Sequence, residues 1–440
     1  MPLTALKPDP SVIGVRAVGE HALEVVLSEP TPYFVQLVMY QNYAPVRRAV
    51  IERFEAMGKP DHWYRPGNIV TNGPYVLDEH KFRYEITFKP NPRWYAADQL
   101  KLKRIVWLEV EPYHSTMNLY KTGEIDWIGQ VSALPAAYMD VLEGYDDFSR
   151  EWWLSTYWYE FNTKAKPVDD VRVRRALNLA VDKQQLIDRV TYANQMPATH
   201  YVPPFTGSGY SEAHEADAKA GRDPFSGAGH DFDPERARKL LSEAGYQLVQ
   251  EGDGWKAKNF PSLEILYNTS EGHRKIAVAI QDMWKRHLGI SVQLRNEEWK
   301  VMIKNLRDGN FQLARFGWTG DYNHPHTWMD TFLSYSANNF TNHENPAFDA
   351  LVAKAASEAN PQESIRLYRE AEALIAADMC RLPLYFYTKS TLVKPHLKGY
   401  WGNAQNRHFV RWMWIDEDWR NNPENTPAFP PEALPTAGAY

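Results

Sequence analysis

Of the chain's 440 residues one is a cysteine, Cys380, so an internal disulfide and a cysteine-rich metal site are both excluded. An oxidising compartment permits disulfides without requiring them, and the cysteine count therefore leaves the compartment open. Nowhere does an apolar run approach the ~18 to 20 uninterrupted residues of a membrane helix. Basic charge is not in excess either: 49 Lys and Arg face 55 Asp and Glu, for a formal net charge of -6. With no basic stripe, there is no electrostatic reason to bind nucleic acid or an anionic membrane. The opening residues, Met1-Pro-Leu-Thr-Ala-Leu-Lys-Pro, lack the basic and apolar regions of a secretory leader. Two expectations follow, a cytosolic protein or one whose beginning is missing. Nucleophile elbow, phosphate loop, dinucleotide fingerprint and zinc-peptidase helix motif are all absent, which weakens the case for an enzyme.

What is present is a length beyond the reach of one growing core, so two or more cores are expected. Hydrophobic residues at 44% and charged residues at 24% are ordinary for a soluble globular chain. Aromatic residues are not ordinary: 16 Trp and 25 Tyr bring large apolar area with one polar handle each. Such rings suit the walls of a partly wet binding cleft, although any single one serves equally well as core.

Along the chain, residues 21–27 alternate as a strand, and 73–77 with 84–88 read as two strands about a polar turn. Residues 101–109 add a strand, 112–120 a helix ending near Gly123, and 152–162 a dense aromatic run. Character then changes. Asp169 or Asp170 can cap a helix whose buried positions are Val173, Ala176, Leu177 and Ala180. The stretch 201–233, rich in Pro, Gly, Ser and charge, reads as a long surface loop. Asp233-Pro234 starts a helix closed by Gly245. Strand 263–268, helix 273–288, strand 290–294, helix 299–306 and strand 311–316 make a β-α-β-α-β unit. That order predicts a mostly parallel sheet with ligands beyond the carboxyl ends of its strands. Helices 346–359 and 361–378 precede an apolar strand at 382–387, and the residues from Asn421 onward form a Pro-rich tail.

Two sets of residues invite chemistry. His324, His326 and His343 lie close in sequence, but two histidines two apart without a carboxylate or thiolate at ligand spacing read as solvated side chains, so no metal is expected. Arg315, Trp318 and Asp321 follow a buried strand, with Gly317 and Gly320 between them. Opposite charges so placed would match a zwitterion, since a buried ammonium or carboxylate needs an oppositely charged, hydrogen-bonding partner. Equally, Arg315 and Asp321 can pair with each other.

Separated blocks carry a resemblance. Leu23-Glu-Val-Val-Leu-Ser-Glu-Pro, Asn72-Gly-Pro-Tyr, Pro90-Asn-Pro-Arg-Trp-Tyr, Asp170-Val-Arg-Val-Arg-Arg-Ala-Leu, Leu266-Tyr-Asn-Thr-Ser and His273-Arg-Lys come first. Trp284-Lys-Arg-His-Leu-Gly, Asn296-Glu-Glu-Trp-Lys, Ala314-Arg-Phe-Gly-Trp-Thr-Gly-Asp-Tyr-Asn, Pro346-Ala-Phe-Asp and Leu392-Val-Lys-Pro follow. In this order they resemble the family 5 solute-binding proteins of peptide ABC importers, and within them the oligopeptide-binding members. The resemblance implies an α/β, two-lobed periplasmic-binding-protein-like fold (type II), with mixed sheets covered by helices and one lobe incomplete. It implies a first, strand-rich lobe over 1–162, a second α/β lobe over 163–389, a return to the first over 390–423, and a tail at 424–440.

Carried over by position, Asp321 resembles the aspartate that meets a peptide's α-amino group, and Arg315 and His273 resemble groups that meet its carboxyl end. Trp318, Trp299 and Tyr387 resemble pocket-lining aromatics, although the helical spacing of Trp299 to Met302 and Leu306 by itself reads as core. Ser155 and Thr319 stand where relatives carry a disulfide, so the two are expected to be neighbours. Leu306 stands where relatives can carry a basic residue. The family also has a leader and a long segment before the point matched by Val15, so the chain is expected to be a fragment or a reduced relative. The implied protein is a non-enzymatic, monomeric receptor without cofactor, periplasmic or anchored at the cell surface, whose partners are short peptides and ABC permease subunits. A sensor domain of a regulator, or a receptor for a nickel complex or sugar, is the alternative, with an enzyme such as a peptidase third.

Overall fold

The computed structural model describes residues 13–110, 112–129, 134–135, 138–220, 232–252 and 254–421. The Pro-rich tail at 424–440, and the middle of the stretch 201–233, lie outside the described residues.

The amino-terminal part is built of short antiparallel pieces. Strands β1 (Val15–Val18) and β2 (Ala22–Val25) form an exposed hairpin, and β3 (Tyr75–Lys81), β4 (Glu85–Pro90) and β5 (Ile105–Leu108) a three-stranded meander. Between β3 and β4 the turn passes through Arg83 at φ 57. After β6 (Trp127–Ile128) comes β7 (Phe148–Phe161), the aromatic run now seen as a 14-residue strand. Strand β8 (Met196–Pro197) is short, and β9 (Gln247–Glu251) with β10 (Gly254–Lys258) makes a second hairpin. Strands β11 (Leu263–Asn268), β12 (Val292–Glu297), β13 (Leu313–Thr319) and β14 (Arg381–Val393) complete the main sheet.

That sheet has the order β12-β11-β13-β7-β14-β6, with β8 also on β14. The β-α-β-α-β unit is there as expected, its three strands parallel. The whole sheet is mixed, because β7 enters antiparallel to β13 and β14 antiparallel to β7. Side chains on a strand alternate between faces, and β7 shows the consequence. Tyr157, Tyr159 and Phe161 enter a core shared with helices Val171–Leu179, Pro234–Glu243 and Glu271–Leu288. Leu154 and Trp158 enter the opposite core, shared with helices Trp299–Asp308, Pro346–Ser357 and Pro361–Asp378. A third core, of Met117, Tyr120, Ile128, Leu134, Tyr138, Met139, Leu142 and Leu392, gathers where β14 meets β6. The paired strands β7 and β14 thus run from the three-layer body into a second, smaller one.

Helix starts were legible because side-chain oxygens satisfy the free N–H groups of a first turn. Asp170, not Asp169, accepts from the Arg172 N–H, and Asp233 ahead of Pro234 accepts from Arg236 N–H. Gly123, Gly289 and Gly309 end helices in the left-handed conformation.

Two expectations are corrected. The stretch 201–233 is not simply a surface loop: Tyr201, Val202 and Tyr210 are buried, and Tyr210–Lys219 is a helix. The cause is Glu372, whose Oε1 accepts the N–H groups of Tyr201 and Val202 at 2.7 and 2.8 Å while Tyr210 donates to Oε2. Nothing local in the Pro- and Gly-rich composition announces a partner so distant. The second correction concerns strand ends: β13 extends to Thr319, so Trp318 lies within the strand, paired with Thr156, rather than beyond it.

Candidate functional site

Arg315 projects from β13 toward the ring of Tyr157 on the neighbouring strand, its guanidinium 4.7 Å from the ring centroid. Its Nη2 donates to the Tyr387 hydroxyl at 2.9 Å and its Nη1 to Asn268 Oδ1 at 3.3 Å. Tyr387 comes from β14 and Asn268 ends β11, so three strands converge on one cation. No carboxylate is paired with it among the described residues, and its Nε is buried without a partner. His273 stands in the first turn of the helix Glu271–Leu288, its Nδ1 3.3 Å from the Tyr157 hydroxyl. Burial, then the adjacent Arg315 charge, push that imidazole down to about 2, so it is neutral at physiological pH. Tyr385 stacks on Tyr157 at 4.8 Å, and Trp153 meets Tyr387 edge-on at 5.2 Å. A guanidinium among phenols, with hydrogen-bonding capacity unspent, is suited to a carboxylate.

At the other pole Asp321 occupies the turn after β13. Its N–H donates to Thr327 Oγ1 at 3.2 Å, the atom that also accepts the Trp318 indole N–H at 3.2 Å. Gly320 precedes it because a Cβ there would lie 2.4 Å from the Trp328 ring. Burial raises the Asp321 carboxyl above the usual range, opposed by a hydrogen bond from Tyr40 and by the charge of Arg407. Arg407 donates to the Asp321 backbone oxygen at 2.7 Å, not to the carboxylate. The half-buried carboxylate is left to a phenol, and among the described residues no ammonium or guanidinium is bound to it.

Arg315 and Asp321 do not pair with each other. Four residue steps along the strand take the chain from Arg315 to Thr319 alone, ~13 Å at the rise of a strand. The sequence alternatives resolve into two poles of opposite sign along one strand end.

His273, Arg315 and Tyr387 therefore meet at one pole, Trp318 and Asp321 at the other. Trp299 is not core: at the first position of its helix it is 44% exposed and stacks on Phe316 at 6.0 Å. Leu306 is buried in the core, 1% exposed. Ser155 and Thr319 are neighbours as expected, paired in register with hydroxyls 3.1 Å apart. His343 Nε2 goes to Asp378 at 2.9 Å, away from His324 and His326. Sequence reading missed Tyr157, Tyr385, Trp153 and Asn268 at the first pole and Tyr40, Thr327 and Arg407 at the second. Strand period in the aromatic run could have singled out Tyr157. Arg407 carried no local signal.

Residues 2–340 match the model of the bacterial extracellular solute-binding proteins, family 5. The chain belongs to this family. Among its relatives, the periplasmic oligopeptide-binding protein OppA of Escherichia coli is 34% identical over 406 residues, 92% of this chain and 70% of that protein. The solved structure of the Escherichia coli murein tripeptide binding protein MppA superposes with a TM-score of 0.80 at 31% identity, covering 93% of this chain and 76% of that one. Haemophilus influenzae OppA, solved in complex with the peptide RPPGFSPFR, gives a TM-score of 0.78 at 31% identity, with the same coverage. The fold is the two-lobed α/β fold of these family 5 solute-binding proteins, with sheets covered by helices.

Proposed function

We propose that this family 5 protein captures short peptides and presents them to the permease subunits of an ABC importer. Asp321 holds the ligand's α-amino group, with Tyr40 steadying the carboxylate. Arg315 and neutral His273 take the carboxylate, and Trp318, Trp299 and Tyr387 line the space for side chains. The observation that carries this reading is the pair of charges left, among the described residues, without an ion-pair partner: a partly buried guanidinium without an acid and a half-buried carboxylate without a bound cation, each hydrogen-bonded to neutral groups. Both charges were desolvated on folding, and a zwitterionic ligand restores partners to both. The protein acts as a monomer, without cofactor or chemical turnover, in the periplasm or at the cell surface. Its relatives named above carry periplasmic and peptide-binding descriptions.

Calorimetry with free and N-acetylated peptides tests the assignment. Asp321→Ala is expected to lose about 3 to 5 kcal/mol toward free peptides, because the bound ammonium is left unpaired. N-acetylation should cost the wild type a similar amount and the variant little. Equal affinity of variant and wild type for free peptides would contradict the role of Asp321.

A further inference from the structure

Tyr33, in the segment after β2, is buried against the turn that carries Asp321. Its ring stacks on His324 at 4.6 Å and on His326 at 4.9 Å, and lies parallel to Tyr322 at 5.6 Å. The same segment supplies Tyr40 to the Asp321 carboxylate. Arg407 fastens the two together, donating from Nη1 to the Met39 carbonyl at 3.0 Å and from Nη2 to the Asp321 carbonyl at 2.7 Å. Whatever holds Tyr33 in place therefore also keeps Tyr40 over the ammonium pole.

The imidazoles under Tyr33 are arranged as neutral groups. His324 Nδ1 accepts the N–H of His326 at 3.2 Å, and His326 Nδ1 lies 3.0 Å from the Tyr368 hydroxyl. A proton on His324 Nδ1 would face an N–H. The titratable groups around the pair are Tyr33, with Tyr43 beyond it, from the amino-terminal segment; Asp321 and Tyr322 of the turn; Asp330 after the helix His326–Met329; and Tyr368 of the helix Pro361–Asp378. Among the described residues neither carboxylate is hydrogen-bonded to an imidazole, so neither offsets the cost of burying a charge there. Burial accordingly pushes His324 down to about 3, with the His326 charge adding to it, and His326 down to about 4.

We propose that Tyr33 is a positioning residue that latches the amino-terminal segment over the Asp321 pole, and that the latch holds while His324 and His326 are uncharged, so that acid loosens the grip on the ligand's amino end. This rests on the peptide reading above. The sign follows from linkage. An imidazole depressed in the latched form and ordinary in the open form favours latching above its ordinary value of 6.5. That preference is lost as pH falls below it. Between pH 7.5 and 5.5 each imidazole that regains its ordinary range on opening weakens binding about tenfold.

The experiment is calorimetry of the whole chain with tri- to pentaalanine at pH 7.5 and 5.5, in two buffers of different ionisation enthalpy. The wild type is expected to bind about ten- to a hundredfold more weakly at pH 5.5 and to release protons on binding there. Tyr33→Phe keeps the stacking and should match it. Tyr33→Ala should bind weakly at both pH values with a smaller step between them. The double variant His324→Gln, His326→Gln should lose most of the proton release, whatever remains belonging to Asp321. Binding without a pH step, or proton release undiminished in the double variant, sinks the latch alone. No binding of any of these peptides at either pH sinks the peptide reading and the latch with it.

Discussion

Gly317 shows how tightly single residues are specified near the site. A Cβ at this position would stand 2.8 Å from the Thr156 backbone oxygen on β7, the strand that presents Tyr157 to Arg315. Backbone cannot step aside as a flexible side chain can, so Gly317→Ala is expected to destabilise by about 1 to 3 kcal/mol in urea unfolding. An unchanged midpoint would show that β13 can move. The same scale marks the limit of residue chemistry read from sequence. Asp321 and Arg315 were visible as opposite charges near a strand end, yet whether they paired was undecided. Register decided it: Arg315 lies opposite Tyr159 and beside Tyr157 on β7, and faces Tyr387 across to β14, so its neighbours are phenols.

At the scale of elements, helices with a capping side chain and a left-handed glycine were readable, since both signals are local. The stretch 201–219 was not, because its order comes from one carboxylate on another helix. Burial pushes Glu372 up to about 8, against the two backbone N–H groups that favour its anion. A folded value above the ordinary 4.5 means that its contribution to stability is full below 4.5 and is lost as pH rises through about 8. Glu372→Gln is expected to flatten the decline of stability between pH 6 and 9, measured by urea unfolding at both. A slope identical to that of the wild type would place the titrating group elsewhere.

For the whole molecule, the controlling feature is the connection between bodies. Strands β7 and β14 pair from Arg381 opposite Glu160 to Leu392 opposite Phe148, with register shifts between Pro383 and Tyr385 and between Phe386 and Thr388. Motion of the smaller body on the larger one must pass through this pair, and irregular pairing is where a ribbon bends. Saturating peptide is therefore expected to reduce the radius of gyration in small-angle scattering. A radius unchanged by bound peptide would argue that the bodies do not close on it.

By itself the sequence determined the local and the periodic: the β-α-β-α-β order, the helix starts at Asp169 or Asp170 and at Asp233, and the ordered blocks of the family. These depend on neighbours within a few residues, or on a pattern retained as a whole. Only the tertiary structure decided that β13 sits between a parallel and an antiparallel partner, that Trp299 is exposed while Leu306 is buried, and that Tyr33, Tyr40 and Arg407 converge on the Asp321 turn. Such facts follow from sheet register and from contacts between distant segments, for which no spacing in the chain is a signal.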